Sequence, residues 1–239
     1  MLEVALQEFP RAAFILEPVL YEQAPTGYLE SLPALCRKYG TVLIFDENVT
    51  GFRWANGGAQ EYFGVIPDLA VFGKAMANGF PLAAIVGPQD LMQHATVVSG
   101  TFGGEIVSLG ACQAVLEVYQ KEPVIQHMWE IGGKLRDGLR AILSQPFSVD
   151  GYPCKPRIQC EDRILYSLFL QEMAMEGVLL HPGGLNVMYA HTPKDVAQTI
   201  VAANRVMRRV REAMDGNQVE AALQGKPFED VFRATGHRQ

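Results

Sequence analysis

Short apolar runs that end in polar residues recur along the first half of the chain. Four of them have the length of a strand: Ala12–Leu16, Thr41–Phe45, Leu69–Phe72 and Ala83–Val86. Runs that are apolar on both faces and are joined by helical or loop segments are typical of strands buried in a parallel sheet. The first half of the chain is therefore predicted to form an α/β domain with a mainly parallel sheet.

Longer helical patterns dominate the second half. Apolar residues at helical spacing predict helices at Glu105–Gln120, at Ile125–Leu143, near Leu165–Gly177 and from Pro193 onward. A turn is predicted around Pro153 and Pro156, and short strands around Val178–Leu180 and Leu185–Tyr189. The change in pattern predicts a large domain at residues 1–120 and a smaller α+β domain at residues 121–239.

Composition narrows the class of protein. The chain has 239 residues, a formal net charge of −6 and 49% apolar residues, which is typical of a globular protein and argues against disorder and against a nucleic-acid partner. The longest apolar runs have strand length, well below the roughly 18–20 residues of a membrane span. The four cysteines have no CxxC spacing and the five histidines have no metal-ligand spacing. The first residues of the sequence do not show the pattern of a secretory signal peptide. We therefore expect a cytoplasmic protein without a metal site.

Lys74 is the most informative single residue, since it follows an apolar run and has small and apolar neighbours. A phosphate-loop lysine is excluded, because that motif needs a glycine where Asp68 stands and a serine or threonine where Ala75 stands. A surface lysine and a lysine nucleophile remain. Keeping a free lysine as an amine at neutral pH costs roughly 4–5 kcal/mol. A Schiff base with a carbonyl cofactor, pyridoxal phosphate, avoids that cost.

Asp46 ends the second apolar run, and ligands of parallel sheets bind outside the carboxyl ends of the strands. A pyridoxal phosphate site needs a carboxylate that keeps the pyridine nitrogen protonated. Asp46 has the position for this role. A helix cap or a turn is the alternative interpretation of the same aspartate.

Several linked motifs resemble the class III aminotransferases, specifically the glutamate-1-semialdehyde aminomutase-like branch. Asp46–Arg53 resembles the family's DE-x-x-TGFR signature, and Pro67–Lys74 resembles its PDL-x-x-x-GK segment around the Schiff-base lysine. Glu17–Val19, Thr101–Glu105 and Gly225–Arg233 are similar to further family motifs, in the same order.

This resemblance implies the fold and the roles of the site residues. The fold would be part of a type I pyridoxal-phosphate transferase: a three-layer αβα large domain that lacks its N-terminal strands, and a small C-terminal domain. Lys74 would form the Schiff base and move a proton, Asp46 would pair with the pyridine nitrogen, and Thr101 would bind the cofactor phosphate of a neighbouring subunit. Asn48 replaces the family's usual aliphatic residue; it would cover the cofactor ring or hydrogen-bond its hydroxyl group.

The function implied is the transfer of an amino group from an amine or amino acid donor to a carbonyl acceptor. Internal amine transfer, as in the aminomutases, is the alternative within the enzymes. The family's first half also supplies most of the phosphate-binding turn, so the chain is expected to be the C-terminal part of such an enzyme. We therefore expect a homodimer with shared active sites or a complementary N-terminal chain, and a non-catalytic subunit is the alternative of a different class.

Overall fold

The computed structural model of the chain describes residues 2–94 and 100–229. Packing divides the chain into two compact units, Met1–Met128 and Trp129–Gln239. This division falls inside a long helix, whereas the sequence analysis places the domain boundary at residue 120. Residues 230–233 of the C-terminal tail motif lie outside the described residues.

The first unit is built on a four-stranded sheet in which the strands follow chain order. Its strands are β1 (Ala13–Leu16), β2 (Val42–Asp46), β3 (Leu69–Phe72) and β4 (Ala84–Val86). The pairs β1–β2 and β2–β3 are parallel, which confirms the predicted mainly parallel sheet. The last strand runs antiparallel to β3, because the segment between them reverses direction without a crossover helix.

The helices of this unit are α1 (Leu2–Glu8), α2 (Tyr28–Lys38), α3 (Ala59–Phe63), α4 (Gln89–Met92) and α5 (Ile106–Lys121), with a 3-10 turn at Lys74–Met76. Helix α2 buries Leu32 and Cys36 against Leu43 and Phe45 of β2. The apolar spacing predicted α5. The short helices α1, α3 and α4 contain too few turns for a periodic pattern, and the sequence analysis missed them.

Two apolar surfaces of the first unit are exposed in the described part of the chain. On the sheet face that carries Asp46, the side chain of Ile15 is 57% exposed, although its register partner in β2 is half-buried. Helix α5 is mostly apolar, yet Ser108 is its one buried residue, and Ile106 is 83% exposed. Parallel sheets are normally covered on both faces, so these surfaces lack the cover that such a fold provides.

The second unit contains most of α6 (Val124–Ile142), a hairpin of β5 (Ser148–Tyr152) and β6 (Lys155–Gln159), and the helices α7 (Arg163–Met175) and α8 (Pro193–Asp215). Its core is formed by apolar residues of all these elements, with Phe147 and Phe169 at its centre. Helix α8 begins with a capping box in which the side chains of Thr192 and Asp195 each bind the other's backbone nitrogen.

The structure has a β-hairpin where the sequence predicted only a turn, around Pro153 and Pro156. The turn is confined to the residues between the strands, and the cross-strand pair of Arg157 and Asp150, 2.6 Å apart, joins them. The predicted strands at Val178–Leu180 and Leu185–Tyr189 do not form. In this segment Gly184 pairs with Arg157 of β6 in an isolated antiparallel bridge, and the backbone nitrogen of Leu185 donates a hydrogen bond to the carbonyl of Pro156.

Gly132 and Gly133 of α6 form a matched pair for testing the packing of α6 on this hairpin. A Cβ atom on Gly132 would lie 1.8 Å from the carbonyl oxygen of Pro153, whereas one on Gly133 would meet nothing closer than 3.9 Å. We predict that Gly132→Ala lowers the free energy of unfolding by about 2 kcal/mol or more, because backbone must move. Gly133→Ala should raise it by up to about 1 kcal/mol through helix propensity. Urea unfolding of both variants checks this, and equal effects would contradict it.

Candidate active site

The carboxyl ends of β2 and β3 bring two of the predicted site residues to one edge of the sheet. Asp46 is the last residue of β2 and pairs in register with Val71 of β3. The backbone nitrogen of Glu47 donates to the carbonyl of Val71 over 2.8 Å and extends the pairing by one residue. Lys74 begins the turn that follows β3. Asp46 and Lys74 therefore lie where ligands of parallel sheets bind.

Lys74 is held in an uncommon backbone conformation. Its φ is 45°, in the left-handed region, and Asn78 of the same segment has φ 46°. Such residues cost about 1–3 kcal/mol each and occur preferentially at functional sites. The buried side chains of Met76 and Ala77 anchor the turn, while Lys74 itself is exposed. Within residues 2–94 and 100–229, its ammonium group has no hydrogen-bond or ion-pair partner.

Asp46 uses one carboxylate oxygen for protein contacts. Its Oδ1 accepts hydrogen bonds from the backbone nitrogen of Asn48 over 3.0 Å and from Nδ2 of the same residue over 2.8 Å. Its Oδ2 has no partner in the described part of the chain. The site thus presents one oxygen of the half-buried Asp46 and the ammonium group of the exposed Lys74, neither of which has a partner among the described residues.

Glu47 fixes the loop that follows β2. Its side chain is fully buried, and Oε2 accepts from the Thr50 hydroxyl and, over 2.8 Å, from the nitrogen of Ala59, while Oε1 accepts from the nitrogen of Gln60 over 2.8 Å. Burial raises the pKa of Glu47, and these hydrogen bonds offset part of that shift. The bonds tie the residues beside Asp46 to the start of α3.

Tyr119 fixes the tip of the same loop. Its hydroxyl donates to the carbonyl of Phe52 over 2.6 Å, and the two rings meet edge to face at 5.5 Å. Phe52 also has a left-handed φ of 59° and contacts the ring of Phe72 at the end of β3. Burial raises the pKa of Tyr119. The sequence analysis missed Glu47 and Tyr119; only the charge of Glu47 at the end of an apolar run signals such a role.

Thr101 lies apart from Asp46 and Lys74 in the chain, in an exposed turn before α5. The carboxylate of Glu105 caps that helix and accepts from the backbone nitrogens of Val107 and Ser108 over 2.8 and 2.6 Å. Helix α5 in turn contacts the 3-10 turn of Lys74. The predicted binding of a phosphate by Thr101 stays a prediction.

The described residues contain neither a metal centre nor a membrane-spanning helix. Among residues 2–94 and 100–229, no group of three or more histidine, cysteine, aspartate or glutamate side chains is arranged to hold a metal ion. No described helix is both long and apolar enough to cross a membrane.

Comparison with known proteins identifies the family. The model of the class III aminotransferases matches residues 2–202. The chain belongs to this family. The resemblance inferred from the motifs is thereby confirmed, and pyridoxal phosphate is the cofactor that the class III aminotransferases use.

Curated relatives include glutamate-1-semialdehyde 2,1-aminomutases. The protein from Syntrophobacter fumaroxidans is 34% identical over 229 residues, and the match covers 84% of this chain and 53% of the relative. The protein from Alkaliphilus oremlandii is 32% identical over 226 residues, with the same coverage of 84% and 53%. The chain therefore spans about half the length of the curated relatives it matches.

Solved structures show the same fold. The FumI protein of Sphingopyxis sp. MTA144, solved in its pyridoxal-phosphate internal aldimine form, is 26% identical, with a TM-score of 0.83 over 90% of this chain and 56% of that chain. The ornithine aminotransferase of Toxoplasma gondii is 24% identical and gives a TM-score of 0.79 over 90% of this chain and 55% of that chain. The second likeness shows the fold alone.

Glu47→Gln tests the loop anchor and its pH dependence. The variant should lose about 1–3 kcal/mol of stability, because an amide nitrogen replaces an accepting oxygen in a buried site. Burial raises the pKa of Glu47 above its ordinary value of 4.5. At pH values between the two, the folded chain therefore holds a proton that the unfolded chain has lost. The stability that this group contributes therefore falls as the pH rises from about 4.5 through the raised pKa.

Urea unfolding of the wild type and Glu47→Gln at several pH values measures this difference. The advantage of the wild type should shrink as the pH rises across that window. Glu117→Gln, on the exposed side of α5, controls for the loss of one carboxylate. An advantage that grows with pH would contradict the role of burial.

Proposed function

We propose that the chain supplies the lysine and the carboxylate of a pyridoxal phosphate site, and that this site transfers an amino group from an amine or amino acid donor to a carbonyl acceptor. One observation carries the proposal. The ammonium group of Lys74 and Oδ2 of Asp46 lie at the ends of adjoining strands, and neither has a partner among the described residues.

The donor set fits this cofactor. Asp46 offers an anionic oxygen to the pyridine nitrogen and Lys74 offers an amine to the carbonyl carbon, while the exposed hydroxyl of Thr101 suits the phosphate of a neighbouring subunit's cofactor. When bound, pyridoxal phosphate supplies an electron sink for the bonds of the substrate's α-carbon.

Each residue then has a defined task. The Nζ of Lys74 would hold the cofactor before the substrate binds and would afterwards carry a proton. The Asp46 carboxylate would hold a proton on the ring nitrogen, which would preserve the positive charge that draws electrons into the ring. The left-handed backbone at Lys74 fixes the point from which its side chain extends. The hydrogen bonds of Glu47 hold the loop beside Asp46 in place.

Internal amine transfer is the second candidate function. The curated relatives reported above are named glutamate-1-semialdehyde 2,1-aminomutases, which favours this reaction for a chain of the same family. The two functions share the Lys74 and Asp46 chemistry and differ in whether the carbonyl intermediate leaves the site. A screen of amino donors that follows cofactor absorbance separates them, since a transaminase releases the carbonyl product and keeps the aminated cofactor, whereas internal transfer returns the amino group to the retained intermediate.

We also propose that the site works within an assembly, with a second copy of the chain or a complementary chain as the partner. The apolar side chains exposed on α5 and near Ile15 support this. Mass determination of the purified protein distinguishes a homodimer from a complex with a different chain. A stable monomer that binds the cofactor would contradict the proposal.

Borohydride trapping tests the role of Lys74. Reduction in the presence of pyridoxal phosphate should fix a pyridoxyl group on the peptide that contains Lys74, identified by mass spectrometry. Lys74→Arg should abolish this adduct, because arginine keeps the charge but forms no Schiff base. Lys38→Arg, on an exposed lysine paired with Glu3, should leave it unchanged. An adduct on another lysine would overturn the assignment.

A further inference from the structure

We propose that Asn48 is a positioning residue that orients the Asp46 carboxylate so that Oδ2 would face the ring nitrogen, and that a side chain at position 73 would displace the Asn48 amide from this contact. This inference rests on the proposed function and concerns a residue at which the chain departs from the family motif. It differs from both sequence-based alternatives for Asn48, which had the side chain contact the cofactor itself.

The first part of the argument is the asymmetry of the Asp46 contacts. Two donors of Asn48, its backbone nitrogen and its Nδ2, converge on Oδ1 of Asp46 over 3.0 and 2.8 Å. A carboxylate that could otherwise rotate about its last bond is held by this pair of bonds, since rotation would break both. Its Oδ2 is thereby the oxygen presented to a ligand.

The second part is the position of the Asn48 carbonyl. A Cβ atom on Gly73 would lie 2.3 Å from Oδ1 of Asn48, so a side chain there would have to displace the Asn48 amide. The φ of Gly73 is −168°, an extended conformation open to every residue, so the backbone conformation itself does not favour glycine here. Apart from the Asn48 amide, the nearest atom is the carbonyl oxygen of Leu82 at 3.6 Å, an ordinary van der Waals contact.

One amide therefore spans the two strand ends. Its nitrogen binds the aspartate that ends β2, and its oxygen lies against the residue that precedes Lys74 after β3. An aliphatic residue in its place would keep the backbone bond to Asp46 and lose the side-chain bond. A carboxylate in its place would repel Asp46.

Two cofactor probes test the positioning role. The first is pyridoxal phosphate, and the second is its analogue with carbon in place of the ring nitrogen. In the full chain, Asn48→Leu removes the donor at similar volume and should weaken binding of pyridoxal phosphate about tenfold, as expected for one bond to a charged group. Binding of the analogue should change less than about twofold, because it offers nothing for Oδ2 to hold.

Asn204→Leu, on the exposed side of α8, is the matched control and should leave both affinities unchanged. Asn48→Asp should weaken the binding of pyridoxal phosphate at least as much as Asn48→Leu does. An equal loss of affinity for both probes, or no loss for either, would overturn the positioning role. If the wild type binds neither probe, the proposed function fails for the chain alone, and the unfolding experiment below decides the contacts of Asn48.

That experiment uses urea unfolding of the chain without cofactor. Gly73→Ala should lower the folding equilibrium constant about tenfold or more, because the added methyl group meets the Asn48 amide. In the Asn48→Ala background, where that amide is absent, the same substitution should lower the folding equilibrium constant less than about threefold. Likewise, Asn48→Leu should lower this constant less in an Asp46→Ala background than in the wild type. Costs that are the same in both backgrounds would contradict the geometry on which the inference rests.

Discussion

The loop that follows β2 depends on the buried carboxylate of Glu47. An anion without a cation partner in the described residues is stable in such a site only if hydrogen bonds replace water. The loop supplies them from Thr50, Ala59 and Gln60. Gly58 belongs to the same arrangement, since its φ is 86° and a Cβ there would lie 2.3 Å from Oε2 of Glu47. Asp46 and Asn48 flank Glu47, so the anchor that stabilises the loop also fixes the site.

The candidate site follows from this anchor and from the parallel pairing of β2 and β3. Parallel pairing brings the carboxyl ends of both strands together, so that Asp46 and the segment of Lys74 meet although they are far apart in sequence. Asn48 then occupies the space between them. The groups that would act on a cofactor have no partners among the residues that the structure describes, while those around them are buried, bonded or held in strained backbone conformations. This combination separates a reactive site from an ordinary strand end.

The sequence predicted the elements with strong local patterns. The four apolar runs predicted β1 to β4 within a residue or so, and the polar residues after them predicted the edge that carries Asp46 and Lys74. Contacts between distant residues leave no periodic signal, which is why the bond from Tyr119 to Phe52 and the fit of Asn48 against Gly73 were not predicted. The β5–β6 hairpin was missed because its glycine and prolines are typical of turns. In the structure, Gly151 has φ 83° within β5.

Membership in the class III aminotransferases and the geometry of the β2 and β3 ends both support the proposal that Lys74 and Asp46 hold pyridoxal phosphate between them. A crystal structure of the protein, in its native assembly, with pyridoxal phosphate tests this most directly. The account predicts continuous density from Nζ of Lys74 to the cofactor, and the ring nitrogen within hydrogen-bond distance of Oδ2 of Asp46. A cofactor joined to another lysine, or a ring nitrogen that faces a group other than Asp46, would contradict it.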